Sequence, residues 1–377
     1  MENSFVYWFD GILLCLVSLL GTILNILTIT VLWKTDKMVQ LFHKLLISLF
    51  FADCVVLLTS ILWNIRWSAG VKVSFLTELY PYFILPFNHI SMTASIFLTM
   101  AIAYERFQTT RNLVKQNATL QPRISDMRRL SICILSIISF SIIFNIPKFL
   151  ELKVIYAPKK IHEYISNNKE QVIVTTNYVD NLQLSNGMAS VLENKTLIPE
   201  IYISEFLIVN QQYLIYYYWA CVMILGIFPF SLLVLLVVLV YKMNKQQNYS
   251  LQDAVTSEEV SISNHIRTRN EQFQMTKIMI LYVIVFLICH GLRTFVQIFL
   301  GFCELDTNCS GAEWHPLLLS FSNFFIILNS SMNIIIYGIA CRNFRKQCKE
   351  TVKDWVDALS LEDVFRNELQ SRNSFIS

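Results

Sequence analysis

Charged residues are scarce in this chain of 377 residues, because Asp, Glu, Lys and Arg together make up only 15% of it while hydrophobic residues make up 54%. An ordinary soluble domain has about 25% charged residues. The charges also lie in islands, and the apolar runs between them are close to the roughly 20 residues needed to cross the hydrocarbon core of a bilayer. This pattern argues against a soluble domain and predicts a membrane protein.

Seven apolar runs divide the chain, and charges interrupt two of them, at Asp53 and Arg293. The runs are Gly11–Trp33, Leu45–Ile65, Leu79–Tyr104, Leu130–Pro147, Phe206–Tyr241, Ile278–Leu300 and Leu317–Cys341. The chain lacks the alternating segments of about ten residues that form outer-membrane barrels. A segment in lipid must satisfy its own backbone polar groups, so the sequence predicts an all-α membrane protein with a bundle of seven transmembrane helices.

Basic residues are unevenly distributed between the two sides of these runs. Most of the 30 Lys and Arg residues lie after the first, third and fifth runs and in the C-terminal tail. Cytoplasmic connections carry such an excess in multi-pass proteins, so we expect an extracellular N-terminus and a cytoplasmic C-terminus in the plasma membrane. Residues 1–10 contain no Lys or Arg, and the first run is too long for a signal peptide, so we expect it to stay as an anchor.

The predicted organisation has three parts and two long connections. They are an extracellular N-terminus (1–10), a seven-helix domain (11–341) with an outer loop (148–210) and an inner loop (242–275), and a cytoplasmic tail (342–377). The inner loop is polar and carries both signs of charge, which is typical of a mobile connection.

The outer loop is rich in β-branched residues, as in Gln171–Val179, and contains Asn186-Gly187 as a turn candidate. Two interpretations stay open. The segment forms a hairpin over the helices, or it is a flexible loop.

The sequence also lacks any group of His, Cys, Asp and Glu residues with metal or triad spacing on one side of the membrane. We therefore expect no enzymatic activity and no cofactor. A seven-helix ligand-gated channel or transporter is an alternative class. Transporters usually have repeated halves or charged midplane residues, whereas Asp53 is the only firm midplane charge here.

Short motifs occur in a fixed order along the runs. They are Gly21 with Asn25, Leu49-x-x-Ala52-Asp53, Glu105-Arg106-Phe107, Pro229, Phe286-x-x-Cys289-His290 and Asn333-x-x-x-Tyr337. In this order the motifs resemble those of rhodopsin-like (class A) G-protein-coupled receptors over nearly the whole chain. The resemblance implies a seven-helix bundle, a short amphipathic eighth helix from about Phe344, and a heterotrimeric G protein as the cytoplasmic partner.

The chain departs from that family at several positions. Ile334 and Leu292 stand where prolines are usual, His290 replaces a tryptophan, and Val237 lies where a tyrosine is common. With Leu292 in place of the kinking proline, we expect the sixth helix to bend less than in the family.

Asp53 lies in mid-membrane, where an ionised carboxylate costs at least about 2.5 kcal/mol unless it finds partners inside the bundle. The resemblance implies that Asp53 forms a sodium site with Ser95, Asn329, Ser330 and Asn333. The alternative is a protonated Asp53 in a purely structural hydrogen-bond network.

Glu105 and Arg106 end the third run at the cytoplasmic side. An arginine at this boundary can serve only as an interfacial anchor, but the resemblance implies a switch, in which the acidic neighbour holds Arg106 until the sixth helix moves outward. By the same resemblance, the residues that couple the pocket to the cytoplasm are Ile96, Pro229, Phe286 and Tyr337.

Cysteine is absent from residues 148–212, and none lies near Pro81, so the disulfide usual in the family is missing. Cys303 and Cys309 remain on the outer side and are expected to form a small bridge, with two free thiols as the alternative. Cys348 is a palmitoylation candidate in the stretch Phe344, Cys348, Val352. Asn194 and Asn308 are the outward glycosylation sites expected of a glycoprotein.

The outer halves of the runs carry a polar and aromatic set of candidate ligand-binding residues. It comprises Trp63, Arg66, Asn88, His89, Met92, Tyr216, His290, Arg293, Gln297 and Asn323. Asn88 replaces the family's amine-binding aspartate, and no lysine lies in Asn323–Cys341, which disfavours a monoamine and retinal. A peptide or a neutral small molecule remains.

Phe286–Arg293 together with Tyr80-Pro81-Tyr82 resembles invertebrate receptors for FMRFamide-like neuropeptides and myosuppressins. Those ligands end in Arg-Phe-amide, so the resemblance implies an extracellular neuropeptide of this kind. A chemosensory or odorant-type seven-helix receptor is the alternative within the same class.

Overall fold

The structure, a computed structural model, is almost entirely helical in the residues that it describes. These are residues 7–34, 40–68, 74–114, 124–158, 197–204, 211–252, 262–303, 314–340 and 344–358. Asn194, Asn308 and Cys309, predicted to be modified or bridged, lie outside these ranges.

The first half of the chain forms four long helices. They are α1 (Leu14–Lys34), α2 (Gln40–Ser68), α3 (Leu85–Val114) and α4 (Ile124–Phe144). The π-helical turn Tyr7–Leu13 precedes α1, and the helix Ser74–Leu79 and the π-helical turn Tyr80–Ile84 precede α3. The 3-10 turn Ile146–Phe149 follows α4.

The second half continues in the same way. Helix α5 consists of Gln211–Cys221, the π-helical turn Val222–Ile227 and Phe228–Gln252. Helix α6 is Ile262–Cys303, and α7 consists of Trp314–Ser331 and Asn333–Ala340. Residues 344–358 form a last helix. Much of the predicted inner loop 242–275 is therefore helical, since α5 and α6 extend into it and residues 253–261 alone lie outside the description.

Proline accompanies two of the π-helical turns. Pro81 lies inside Tyr80–Ile84, and Pro229 follows Val222–Ile227 by two residues. Proline has no N–H to donate, and its ring displaces the carbonyl one turn earlier, so the ladder of hydrogen bonds loosens there. Both turns lie towards the predicted outer half of their helices.

Five helices in the described part of the chain are long and apolar enough to cross a membrane. They are Trp8–Lys34, Phe42–Ile65, Phe75–Asn112, Ile215–Met243 and Thr276–Phe299. Helix α4 begins with polar residues, among them the exposed Arg128 and Arg129, and Met332 divides α7. Two backbone bonds of 3.1 Å, Met332 N to Leu328 O and Ile336 N to Met332 O, cross that division.

Helix α1 has a buried polar stripe and an exposed apolar face. The buried polar residues Ser18, Thr22, Asn25 and Thr28 recur every three or four positions. The exposed face carries Leu16, Leu19, Leu20, Ile23 and Ile26. This arrangement, reversed from that of a helix in water, suits contact with lipid.

The main core lies where α2, α3, α5 and α6 meet. Its fully buried side chains include Phe42 and Phe50 of α2, Ile96 of α3, Leu233 of α5 and Ile278 of α6. Ile96 and Phe286, both predicted to couple the pocket to the cytoplasm, belong to this core.

Two strands form the base of the predicted outer loop. Strand β1 (Leu152–Pro158) pairs antiparallel with β2 (Leu197–Ile203), with Leu152 opposite Ile203 and Pro158 opposite Leu197. β2 contacts the helix Ser74–Leu79, which places the pair beside the start of α3. The pairing uses the two ends of the segment, whereas Gln171–Val179 and the Asn186-Gly187 turn lie outside the described residues.

Candidate functional site

Asp53 of α2 is the centre of a buried polar network and is only 1% exposed. Its Oδ1 accepts hydrogen bonds from Ser95 Oγ of α3 at 2.8 Å and from Ser330 Oγ of α7 at 3.0 Å. Its Oδ2 accepts from Asn333 Nδ2 of α7 at 2.8 Å. Three helices thus meet at one carboxylate, whose two oxygens are both hydrogen-bonded.

Asn25 of α1 extends the network. Asn333 Nδ2 also donates to Asn25 Oδ1 at 2.8 Å, and Asn25 Nδ2 donates to the Ser330 backbone carbonyl at 2.8 Å. Gly21 allows this approach, because a Cβ there would lie 2.8 Å from Ser331 Cβ. The Gly21 and Asn25 pair therefore brings α1 against α7, just before the irregularity at Met332.

The network contains oxygen atoms of the kind that ligate hard cations. Carboxylate and hydroxyl oxygens of Asp53, Ser95 and Ser330 converge on one point, and such oxygens are the ligands of hard cations. Asn333 is within hydrogen-bond distance of Asp53, whereas half-buried Asn329 makes no hydrogen bond to it within the described chain. No group of three or more His, Cys, Asp or Glu suited to another metal occurs in the ranges given above.

Glu105 and Arg106 form a two-pronged ion pair at the predicted inner end of α3. Arg106 Nε lies 2.5 Å from Glu105 Oε2, and Arg106 Nη2 lies 2.8 Å from Oε1. The arginine side chain is 2% exposed and its guanidinium lies 4.1 Å from the ring centroid of Phe42 in α2. Thr109 Oγ1 donates to Glu105 Oε1 at 3.0 Å. A buried cation is thus paired with the Glu105 carboxylate and packed on the Phe42 ring.

Ile96 and Phe286, predicted to couple the pocket to the cytoplasm, are both buried in the main core, and Pro229 is buried on α5. The Phe286 ring stacks on His290 with centroids 4.2 Å apart. Tyr337 lies on α7, but its side chain is not among those described. The aromatic stack therefore continues from the core towards the outer half of α6.

An uncharged cavity of about 190 Å³ opens in the predicted outer half, among α2, the π-helical turn Tyr80–Ile84, α3 and α7. Its lining residues are Thr59, Ser60, Trp63, Asn64, Tyr80, Ile84, Leu85, Asn88, His89, Asn323, Ile326 and Ile327. The Trp63 and Tyr80 rings stack with centroids 4.1 Å apart. Four of the predicted ligand-binding residues are in this list: Trp63, Asn88, His89 and Asn323.

Other predicted ligand-binding residues lie elsewhere. The Arg293 guanidinium contacts Met92 Sδ, which joins α6 to α3, and buried His290 stacks on Phe286 instead of lining the cavity. The Gln297 carbonyl accepts a hydrogen bond from the Tyr218 hydroxyl of α5. Tyr216 is 75% exposed on the outside of α5, because α5 turns Tyr217 and Tyr218 inward instead. Of Arg66, only its backbone in α2 is described.

Sequence reasoning missed Asn64, which lines the cavity and is 3% exposed. The sequence contains a signal for this residue. Asn64 lies four positions after the polar Ser60, and positions four apart share one helix face. Thr59 was also missed. Its hydroxyl accepts a hydrogen bond from Asn88 Nδ2 at 2.8 Å.

The helix over residues 344–358 has one buried face. Phe344 and Thr351 are buried, and Cys348 and Trp355 pack against the core, whereas Val352 is exposed. Lys34 of α1 lies 2.9 Å from Asp354. Burial raises the pKa of the Cys348 thiol, so less of it is thiolate at neutral pH.

The chain is similar to a Drosophila melanogaster protein named FMRFamide receptor, with 24% identity over 355 residues. The match covers 92% of this chain and 54% of that protein, so the chain spans about half the length of the curated relative it matches. No model of a known protein family matches the chain. This distant relative and the apolar helices support a multi-pass membrane receptor.

Proposed function

We propose that the protein is a rhodopsin-like G-protein-coupled receptor with seven transmembrane helices, which binds an extracellular neuropeptide and activates a heterotrimeric G protein. Support comes from the relative named FMRFamide receptor, the helices long enough to cross a membrane and the polar network around Asp53. In this proposal α4 and α7 complete the seven crossings. The helix 344–358 is the short eighth helix, lying along the cytoplasmic side of the plasma membrane.

The Glu105–Arg106 pair is the observation on which this function chiefly rests. In this proposal, the pairing of the 2% exposed guanidinium with Glu105 and its packing on Phe42 represent the closed state. Outward movement of α6 opens the cytoplasmic side and frees Arg106 to meet the G protein. Such an element with two arrangements is what a conformational switch requires.

A sodium ion at Asp53 is proposed to favour the closed state. Asp53 would supply the negative charge, and the Ser95 and Ser330 hydroxyls would turn their lone pairs towards the ion. The ion supplies a positive charge that ties α2, α3 and α7 together when bound. Asn333 would keep its hydrogen bond to Asn25 and so preserve the contact between α1 and α7.

The proposed ligand is an amidated peptide ending in Arg-Phe. A neutral terminal amide suits a cavity whose lining has no Asp, Glu, Lys or Arg, because an unpaired charge there would be costly to desolvate. The alternatives are a chemosensory or odorant-type receptor, and a ligand-gated channel or transporter. Glycosylation of Asn194, a bridge between Cys303 and Cys309, and palmitoylation of Cys348 belong to the same proposal.

A screen of amidated peptides on cells that express the protein tests this function. Calcium and cyclic-nucleotide responses are recorded, with membrane current measured in parallel. We expect an Arg-Phe-amide peptide to evoke a second-messenger response that disappears in Arg106→Ala. A ligand-evoked current that persists when G proteins are inactivated would instead identify a channel, and responses to volatile or small hydrophobic compounds alone would identify a chemosensory receptor.

A further inference from the structure

Arg293 of α6 carries a positive charge into the helix bundle, and no carboxylate of the described chain balances it. Its guanidinium contacts the sulfur of Met92 in α3. Met92 is only 3% exposed, so the charged group reaches the interior of the bundle. A guanidinium offers several N–H donors, whereas a thioether sulfur is a weak acceptor. Most donors of Arg293 are therefore left without a strong acceptor in the described residues.

Two other cations that reach the interior of the described chain are paired. Arg106 forms its ion pair with Glu105, and Lys148, whose side chain is 14% exposed, lies 2.5 Å from Glu151. The Glu151 carboxylate is thus engaged by Lys148. A charge that is taken out of water is costly unless an opposite charge accompanies it. Arg293 differs from Arg106 and Lys148, because the described chain does not supply its counter-charge.

The groups around Arg293 bring no negative charge at neutral pH. The guanidinium interacts electrostatically with His89 of α3 and with His290 of its own helix. On α5, its neighbours are Cys221 and Tyr218. Imidazole, hydroxyl and thiol groups can donate hydrogen bonds. The surroundings of this cation therefore offer donors and no carboxylate, which suits a small anion.

We infer that Arg293 binds a chloride ion inside the bundle, where α3, α5 and α6 meet. The single charge of the guanidinium matches a monovalent anion, whereas sulfate or phosphate would bring further negative charge. The polarizable sulfur of Met92 suits a large, weakly hydrated ion. In the proposed orientation this part of α6 belongs to the outer half of the membrane, and chloride is abundant outside cells. The inference does not rest on the proposed peptide.

Thermal unfolding of the full-length protein in detergent tests the inference without any agonist. Unfolding midpoints are recorded over a series of chloride concentrations, with gluconate replacing chloride so that sodium and ionic strength stay constant. This design keeps any effect of sodium at Asp53 unchanged. Arg293→Met and Arg293→Gln remove the charge with side chains of different polarity. Arg111→Met, at an exposed arginine of α3, is the matched control.

We expect chloride to raise the unfolding midpoint of the unaltered protein by about 2 °C or more, because an ion that binds only the folded state stabilises it. The rise should saturate with concentration and should be the same in Arg111→Met. It should vanish in both Arg293 variants. In gluconate, Arg293→Met should be at least as stable as the unaltered protein, since it removes a charge that has no counter-ion there.

Three results would overturn the inference. The first is a midpoint of the unaltered protein that does not respond to chloride. The second is a rise that grows with concentration without saturating, which reflects a general effect of the salt. The third is an equal rise in the Arg293 variants, which places the ion elsewhere. Arg293→Gln decides this last point if Arg293→Met does not yield folded protein.

Discussion

Asn333 of α7 donates a hydrogen bond of 2.8 Å to the carboxylate of Asp53 in α2, although the two residues lie 280 positions apart in the chain. The same nitrogen reaches Asn25 of α1. This contact ties the irregular part of α7 to the acidic centre of the bundle. Movement of α7 must therefore change the surroundings of Asp53, and the two should respond together to ions and agonist.

Sodium is expected to weaken agonist binding through Asp53. At constant ionic strength, replacing a large organic cation by sodium should lower agonist affinity about fivefold or more, within the usual range of allosteric coupling. The coupling arises because the ion would bind the closed arrangement better than the open one. Radioligand competition on membranes measures it. Asp53→Asn should abolish the sodium effect, and an equal effect in this variant would place the ion elsewhere.

Arg106→Ala is expected to keep surface expression and agonist binding but to lower agonist-stimulated nucleotide exchange by about tenfold or more. Arg106 does not line the outer cavity, so agonist binding should not depend on it directly. It does belong to the proposed contact with the G protein. Arg111→Ala, which removes an exposed arginine of the same helix, should change exchange little. Unaltered exchange in Arg106→Ala would remove the switch assignment.

Gly226→Ala is expected to destabilise the contact between α5 and α6. A Cβ at Gly226 would lie 2.7 Å from Thr294 Cγ2 and 2.8 Å from its Oγ1. Such overpacking typically costs about 1–3 kcal/mol, which thermal unfolding of detergent-solubilised protein can detect. Thr294→Ala should restore stability in the double variant, since it removes both crowding atoms. Gly338→Ala, where a Cβ would meet nothing within 4 Å, is the control.

The cysteine pattern predicts a bridge between Cys303 and Cys309. Peptide mass spectrometry of unreduced protein should find the two joined, because both face the oxidising side in the proposed orientation. Alkylation of both thiols before reduction would contradict it. Cys289, buried in α6, should resist alkylation in the folded protein either way.

The partners of Asp53 could be predicted because few polar residues interrupt the apolar runs, and each must find others inside the bundle. Ser95, Ser330 and Asn333 do meet the carboxylate. Asn329 does not, since neighbouring positions of a helix point about 100° apart and only one of them faces the carboxylate. The motif identified the region, and helix rotation decided which side chain reaches it.

The outer cavity was less predictable, because it depends on tertiary contacts that no periodic pattern encodes. The sequence predicted that Arg293 and Met92 bind the ligand, whereas in the structure these two side chains contact each other. The π-helical turn at Tyr80–Ile84 carries Tyr80 against Trp63. Such irregular turns shift the register of all residues before them, so sequence spacing alone misplaces their side chains.

Agonist-stimulated nucleotide exchange is the most direct test of the proposed receptor function. The purified protein is reconstituted in lipid vesicles with each of several heterotrimeric G proteins, and uptake of a non-hydrolysable GTP analogue is followed. We expect an Arg-Phe-amide peptide to accelerate uptake on at least one G protein. Its free-acid form should require at least about tenfold higher concentrations, because a carboxylate is costly to desolvate in a cavity whose lining has no Lys or Arg to pair with it. Equal potency of the two forms would contradict the ligand, and binding of the peptide without accelerated uptake on any G protein would contradict the receptor assignment.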